Sequence, residues 1–227
     1  MYCLWCDEEI ISTVTWSNFL LLPSQKKICS NCADGLEIIG GSRCSVCSRS
    51  CEDATCPDCV KWESLFVGGD TLTKNYSIYS YNPAIQAIVT KWKYRGDYCL
   101  GELFQQTIRQ TFAKEFGTLP SNSILVPIPL SQERMKERGF NQAKILSDFL
   151  PLKTRDVLTR IHGEKQSKKT RFERITAQNP FFLNETVKKT VILVDDIYTT
   201  GTTLRHAASL LLENGCPEVY ALTLIRG

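Results

Sequence analysis

The 227-residue sequence contains no run of about 18 apolar residues, the length that a membrane-spanning helix needs. Its first residues, MYCLWCDEE, lack the basic segment before an apolar stretch that marks a secretory signal, so we expect a cytoplasmic protein. The net charge of +3 is too small to indicate a class of partner. The absence of any Gly-Lys pair excludes the G-x-x-x-x-G-K-[ST] loop of P-loop NTPases.

Cysteine, in contrast, is abundant: there are eleven, and nine of them lie in the first 59 residues. Because the cytosol keeps thiols reduced, metal binding explains them better than disulfides. Eight fall into Cys-x-x-Cys pairs, each able to present two thiolates on one tight turn, and Cys51 is left over. The pairs are Cys3 with Cys6, Cys29 with Cys32, Cys44 with Cys47, and Cys56 with Cys59.

Four such pairs predict two zinc sites of four thiolates each, since two turns complete a tetrahedral site. The simplest grouping is sequential, but the spacing also allows a crossed one. A closed shell of four thiolates leaves no position for water, so we expect a structural role for the zinc. Metal binding would supply folding free energy to a segment with few large apolar side chains.

The cysteine-rich segment ends at Cys59, and the Gly68-Gly69 pair follows. This change of pattern predicts a small double zinc-ribbon domain over residues 1–68 and a second domain over residues 69–227.

In the second domain, segments typical of strands and helices alternate, which predicts an α/β fold with a mostly parallel sheet. The predicted strands are 75–81, 123–129, 190–195 and 218–225. The predicted helices are 83–92, 101–116, 140–150 and 202–214. The polar and basic stretch 160–180 has little periodicity and is typical of a mobile loop.

The segment VILVDDIYTTGTT, residues 191–203, joins the third of these strands to the last helix. Such a junction is where open α/β sheets bind ligands, and the helix offers free N–H groups and a partial positive charge. Gly201 permits close approach of the backbone to a phosphate. The carboxylates of Asp195 and Asp196 can accept hydrogen bonds from sugar hydroxyls or bind a hydrated Mg²⁺. The segment therefore fits a ligand that carries both a ribose and a 5-phosphate.

These residues resemble the phosphoribosyl pyrophosphate signature of the type I phosphoribosyltransferases, and match it at every defined position. The resemblance implies a type I phosphoribosyltransferase-like sheet in the second domain. It also implies that Asp195 and Asp196 hold the ribose hydroxyls, directly or through Mg²⁺. The residues that would wrap the 5-phosphate are Thr199, Thr200, Gly201, Thr202 and Thr203.

The order of motifs along the whole chain resembles the ComF family of competence proteins. Cysteine pairs are followed by KWKYRGD (91–97), VPIPLSQERMKERGFNQA (126–143), a basic loop and the phosphoribosyl motif. The resemblance implies a late competence protein of DNA uptake with zinc in its N-terminal module. It further implies affinity for single-stranded DNA and a partnership with the ATP-driven, helicase-like translocase ComFA.

Basic residues concentrate between positions 130 and 175, where twelve Lys or Arg face six acids. Such residues contact phosphates, and the aromatic rings of Trp92 and Tyr94, interleaved with Lys91, Lys93 and Arg95, could stack on bases. The stretch fits a solvated surface, a DNA track or a pyrophosphate loop over which residues 165–174 close. The candidate contact residues are Lys91, Arg95, Arg134, Arg138, Gly139, Asn141, Gln142 and Arg171.

Three functional hypotheses follow. The one we favour is a DNA-binding adaptor that docks a motor and retains the phosphoribosyl pyrophosphate site. The second is an active phosphoribosyltransferase that moves ribose 5-phosphate to a nitrogen acceptor. The third is a sensor of phosphoribosyl pyrophosphate that regulates its partner.

Overall fold

A computed structural model describes residues 1–11, 26–65, 69–94, 97–161 and 179–227. Its strands are β1 (Lys74–Ser80), β2 (Ile124–Pro127), β3 (Lys153–Thr154), β4 (Leu158–Arg160), β5 (Phe181–Leu183), β6 (Val191–Tyr198) and β7 (Val219–Arg226). Its α-helices are α1 (Ser30–Asp34), α2 (Pro57–Leu65), α3 (Pro83–Tyr94), α4 (Gln105–Phe116), α5 (Gln132–Arg138), α6 (Gln142–Asp148) and α7 (Thr202–Glu213). A 3₁₀ helix, Tyr98–Phe104, leads directly into α4.

Five strands form one sheet in the order β1-β7-β6-β2-β3, and every neighbouring pair is parallel. The predicted mostly parallel sheet is thus confirmed, and its four predicted strands are β1, β2, β6 and β7. The strands β4 and β5 form a separate antiparallel pair.

The sheet is buried on both faces, which explains the uninterrupted apolar run of β6. Val191 and Leu193 pack with α7 in one apolar cluster. Ile192 and Val194 point the other way and pack with α3, α4 and α6 in a second cluster. Their alternation follows the period of two of a β-strand.

Two helical segments differ from the sequence prediction. The helix predicted over 101–116 begins only at Gln105, because the preceding residues form the 3₁₀ helix, which packs Gly101 against Trp92. The short helix α5 was not predicted, since it is almost entirely polar. The hydroxyl of Ser131 accepts a hydrogen bond from the Arg134 N–H to begin it, and Gly139, in the left-handed conformation, ends it.

The cysteine-rich part of the chain covers the outer edge of β1. The N–H of Ile39 donates to the carbonyl of Ile78 (2.9 Å), and the N–H of Asn75 donates to the carbonyl of Val46 (2.7 Å). These bonds satisfy an edge that would otherwise be open to pairing with another chain. Cys44, Cys47, Cys56 and Cys59 belong to the same apolar cluster as α7.

Two predictions about the organisation of the chain fall on residues outside the described ranges. The boundary at residue 68 is one of them, so the division into 1–68 and 69–227 stays a prediction. The other is the loop over 160–180, of which the structure describes only residues 160–161 and 179–180. In the described part of the chain, no helix is both long and apolar enough to cross a membrane.

Candidate functional site

A cleft of about 150 Å³ lies at the carboxyl ends of β2 and β6, where an open parallel sheet places its ligands. One wall comes from β6 and the start of α7, and the other from α5 and α6. The polar residues that line it are Lys93, Arg134, Arg138, Asn141, Gln142, Arg160, Asp195, Asp196 and Thr203.

Both aspartates that follow the apolar part of β6 face this cleft. The carboxylate of Asp196 forms an ion pair with the ammonium of Lys93, and each of the two side chains is only 13% exposed. The Oδ1 atom of Asp195 accepts a hydrogen bond from the Asp196 N–H at 2.8 Å. Both carboxyl groups therefore line the cleft at the carboxyl end of β6 while being largely buried.

The two carboxyl groups titrate differently. Burial and the neighbouring Asp196 charge raise the pKa of Asp195 to about 7, against the weaker effects of Lys93 and Arg160. Burial is the largest single influence on Asp196 and acts to raise its pKa. The charge and hydrogen bond of Lys93, the Arg138 charge and a hydrogen bond with Asp195 together outweigh burial and lower the pKa of Asp196 below its usual value. Near neutral pH the cleft thus holds one charged carboxylate and one that exchanges its proton.

The opposite wall supplies hydrogen-bond donors. Arg138 donates from Nη1 to the Oε1 of Gln142 at 2.9 Å, and its guanidinium lies 5.6 Å from the centre of the Tyr94 ring. The side chain of Asn141 begins α6 by accepting from the Ala143 N–H and donates to the carbonyl of Ile128. The buried Nε of Arg138 and Nε2 of Gln142 have no acceptor among the described residues. Buried donors without a protein acceptor are expected where a bound anion would accept their hydrogen bonds.

Arg160, at the end of β4, is a cleft residue that the sequence did not single out. Burial and the nearby Arg134 guanidinium lower its pKa, whereas Asp195 raises it. Its position depends on the pairing of β4 with β5 across the chain, and no local motif predicts that pairing.

The remaining predicted contact residues lie in different places. Lys91 pairs with Asp97 at 3.4 Å and lies 5.5 Å from the Trp5 ring, away from the cleft. Positions two residues apart on a helix point in directions that differ by about 200°. Lys93, two residues after Lys91, therefore points into the cleft that Lys91 was predicted to line. Gly139 does not line the cleft. Arg95 and Arg171 lie outside the described residues.

The prediction that two aromatic rings stack on bases is wrong for Trp92, and for Tyr94 it stays a prediction. The Trp92 side chain is fully buried, because it faces the core between α3 and the 3₁₀ helix. The Tyr94 side chain is 65% exposed at the end of α3.

The 199–203 loop joins β6 to α7 beside the aspartates. Gly201 has a φ of 80°, and a Cβ there would overlap the Tyr198 hydroxyl and the Arg205 guanidinium, so glycine is required. The hydroxyls of Thr200 and Thr202 hydrogen-bond each other at 2.9 Å. The cap residue Gly201 has no side chain to cap α7, and the Thr202 N–H donates to the Thr200 hydroxyl at 3.4 Å. The following N–H groups of the first turn are the ones that helix geometry leaves for a ligand.

The eight paired cysteines form two groups in the sequential arrangement. The first four-cysteine group is Cys3, Cys6, Cys29 and Cys32, and the second is Cys44, Cys47, Cys56 and Cys59. Within each group all the sulfur atoms lie within 4.8 Å of one another.

These sulfur positions fit a tetrahedral metal site. Zinc–sulfur bonds of about 2.3 Å imply sulfur–sulfur separations of about 3.8 Å. The observed separations include 3.7 Å between Cys6 and Cys29 and 3.6 Å between Cys47 and Cys56. Each group could therefore hold one metal ion in a closed shell.

The two groups repeat one local turn. Asp7 and Ser48, each directly after the second cysteine of its pair, have φ of 60° and 61°. Their N–H groups donate to the carbonyls of Cys3 and Cys44, at 3.0 Å in both cases. The groups differ in burial, since all four cysteines of the second are buried whereas Cys6 of the first is exposed.

Comparison with known proteins identifies the class of this fold. Residues 135–227 match the family described as "Phosphoribosyl transferase domain", and this range includes α6, β6, the 199–203 loop and β7. Together with the parallel sheet and its cleft, this match defines a phosphoribosyltransferase-like domain.

Relatives that extend over the whole chain identify the particular family. The competence protein ComFC of Bacillus subtilis (strain 168) is 38% identical over 230 residues, covering 100% of this chain and 95% of the relative. Competence protein ComFC of Streptococcus pneumoniae is 32% identical over 229 residues and covers 100% of both chains. DNA utilization protein YhgH of Salmonella typhi is 26% identical over 223 residues, covering 88% of this chain and 96% of the relative. The chain belongs to the ComFC family of competence proteins, as the sequence motifs predicted.

Proposed function

We propose that this protein acts in DNA uptake during competence, as a DNA-binding adaptor that retains a site for phosphoribosyl pyrophosphate and Mg²⁺. One observation carries the proposal. Among the described residues, four cationic side chains and two carboxylates converge on a single cleft beside the N-terminus of α7.

The charges of this cleft are distributed as the ligand would require. Phosphoribosyl pyrophosphate carries a ribose between two phosphate-bearing ends. Asp195 and Asp196 would hold the ribose hydroxyls or a Mg²⁺ ion, whose charge would lessen the repulsion between carboxylates and pyrophosphate. The N–H groups and hydroxyls of the 199–203 loop would hold the 5-phosphate. Arg134, Arg138 and Arg160 would contact the pyrophosphate.

Single-stranded DNA is the second proposed ligand. The exposed Tyr94 ring stands beside Arg138 at the border of the cleft, and Tyr98, 55% exposed, lies against Phe140 close by. Cationic side chains would contact the DNA backbone while these rings stack on bases.

Three further parts of the proposal rest mainly on the resemblance and the chemistry of thiolates. Each four-cysteine group would hold one structural zinc ion, which fits the sulfur spacing. The cytoplasm, where thiols stay reduced, is the matching compartment. The protein partner would be an ATP-driven, helicase-like translocase of the ComFA kind.

Titration calorimetry with phosphoribosyl pyrophosphate and Mg²⁺ tests the ligand site directly. We expect the wild-type protein to bind and the Asp195→Ala/Asp196→Ala variant to lose at least tenfold in affinity. Equal binding by both proteins would remove the proposed site. A gel shift with a single-stranded oligonucleotide at low salt tests the adaptor, which requires retardation at micromolar protein.

An active phosphoribosyltransferase is the alternative, favoured by the presence of both aspartates and three arginines in the same cleft. Its test is release of pyrophosphate from phosphoribosyl pyrophosphate in the presence of a panel of nitrogen bases. A sensor differs from both: the double aspartate variant would then keep its DNA affinity while losing DNA uptake in cells.

A further inference from the structure

The helix that carries Cys59 reaches the 199–203 loop. Trp62 lies three residues after Cys59 in α2 and is 3% exposed. Its indole Nε1 donates a hydrogen bond to the carbonyl of Thr200 at 3.0 Å. The backbone of Thr200 is thus held by a side chain of α2, the helix that carries Cys59 of the second four-cysteine group. Trp62 and Thr200 are 138 positions apart in sequence.

A fully buried guanidinium lies between the same cysteine group and the loop. Arg205 donates from Nε to Asp70 at 2.9 Å and from Nη1 to the Tyr198 hydroxyl at 2.6 Å. Its Nη2 lies 4.0 Å from the sulfur of Cys59, and its charge stands 4.6 Å from the centre of the Trp62 ring. Arg205 also contacts the loop, because Gly201 lies directly against it.

A second guanidinium makes the same link from β7. Arg226, 8% exposed, has its Nη2 at 3.9 Å from the sulfur of Cys47. Its Nη1 donates to the carbonyl of Thr199 at 3.0 Å and lies 3.3 Å from the carbonyl of Tyr198.

Together these contacts fix the orientation of the loop backbone. The carbonyls of Thr199 and Thr200 both accept hydrogen bonds from groups that touch or adjoin the second four-cysteine group. A carbonyl oxygen that pointed into the cleft would repel an anion bound there. Because these two carbonyls point toward the cysteine group instead, they do not oppose the binding of an anion. The arrangement leaves the loop N–H groups for a phosphate ester.

The buried arginines also suit a metal-bound group better than an empty one. A zinc ion with four thiolates carries a net charge of about −2. Arg226 and Arg205 would offset part of this charge in the interior, although Arg205 is also paired with the Asp70 carboxylate. The first four-cysteine group differs, because Leu4, Trp5 and Ile28 around it pack against the α3 face of the sheet.

We propose that the metal-bound second four-cysteine group holds the 199–203 loop in its phosphate-binding shape, with Trp62, Arg205 and Arg226 as positioning residues. The inference rests on the proposed phosphate site. Loss of metal from the second group then loosens the loop and weakens the binding of a phosphate ester, whereas loss from the first group does not.

A matched pair of tryptophan variants tests the linking hydrogen bond. Trp62→Phe keeps a ring beside Arg205 but removes the donor to Thr200. Trp92→Phe makes the same change at a buried indole whose Nε1 has no partner in the described part of the chain. At equal metal content, we expect Trp62→Phe to weaken ribose 5-phosphate binding about five- to tenfold, as one lost hydrogen bond implies, and Trp92→Phe less than twofold. Equal affinities in the two variants would overturn the proposal.

Graded chelation tests the metal itself without relying on any ligand. In the Cys6→Ser variant the first group lacks a ligand atom, so the metal that the protein retains reports on the second group. We expect hydrogen exchange at residues 199–203, followed by mass spectrometry, to accelerate at least tenfold as that metal is removed. Unchanged exchange after metal release would contradict the coupling. If the wild-type protein binds no phosphate ester while exchange still responds to metal, the proposed ligand site fails and the coupling stands.

Discussion

The Lys93 ammonium and the Asp196 carboxylate form an ion pair inside the cleft, with little exposure of either side chain. Replacing Lys93 with Met should leave a charged carboxylate without its partner. Because the lowered pKa of Asp196 contributes stability above about pH 4 and loses it as the pH falls, the cost should appear at pH 8 and fade under acid conditions. We expect about 2–4 kcal/mol of lost unfolding free energy at pH 8, measured by urea denaturation.

The ion pair of Lys91 with Asp97 is the matched control, since Lys91 lies on the same helix as Lys93 and both side chains of the pair are about one-third exposed. The Lys91→Met variant should lose less than about 1 kcal/mol. A similar loss in both variants would show that the cleft pair has no special environment.

Asp195 gives the opposite dependence on pH. Its pKa is raised to about 7, so folding favours its protonated form, and its contribution to stability is lost as the pH rises from 4 through 7. Asp195→Asn is neutral at every pH and should therefore be more stable than the wild type at pH 8, by about 2 kcal/mol or about 4–8 °C in Tm. The difference should shrink toward pH 5 in thermal melts. A gap in Tm that is constant with pH would contradict the raised pKa.

Arg160 should discriminate between ligands with and without pyrophosphate. We expect Arg160→Gln to weaken the binding of phosphoribosyl pyrophosphate about tenfold and of ribose 5-phosphate less than threefold, because a charged hydrogen bond is lost only with the former. Calorimetry with both ligands measures this. Arg155, which pairs with Glu185 at 2.5 Å outside the cleft, supplies the control variant Arg155→Gln.

Gly201 should not tolerate a side chain. Gly201→Ala places a methyl group against Tyr198 and Arg205 at a φ of 80°, and we expect it to lose at least about 2 kcal/mol of stability and most phosphate-ester binding. In Gly40→Ala the new methyl group meets nothing within 4 Å, so it should fold and bind like the wild type. Normal ligand affinity in Gly201→Ala would show that the loop shape is not required.

Exposed aromatic rings allow the DNA surface to be located. Tyr94→Ala should weaken single-stranded DNA binding by about 1–2 kcal/mol if bases stack beside the cleft, as measured by fluorescence anisotropy. Tyr2, equally exposed at 66% in the first cysteine-rich turn, provides the control. A larger loss from Tyr2→Ala would place the DNA on the cysteine-rich surface instead.

Local motifs account for what the sequence predicted well. The run from β6 through the 199–203 loop to α7 is continuous, so its apolar period, its acids and its glycine were all visible in one stretch. Lys93 and Arg160 were visible in the sequence as basic residues, but their positions in the cleft were not predicted, for a different reason. Which of two lysines enters the cleft depends on the rotation of α3, and Arg160 arrives by a strand pairing between distant residues.

The link between the cysteines and the loop was also beyond the sequence. Cys-x-x-Cys spacing predicts a thiolate turn but not which surface the turn contacts. The contacts of Trp62 with Thr200 and of Arg226 with Cys47 join residues more than 130 positions apart. Only the packing of α2 on the sheet shows that the cysteine-rich segment borders the predicted ligand site.

The bonds that residues 37–46 make along β1 have a consequence for how the protein can be dissected. A fragment beginning at residue 69 would leave that strand as a bare template for intermolecular pairing and would strip the apolar neighbours from α7. Such a fragment should precipitate or form oligomers during expression, even though every residue of the cleft would be present in it. The cysteine-rich segment and the phosphoribosyltransferase-like domain would then have to be inherited and folded together.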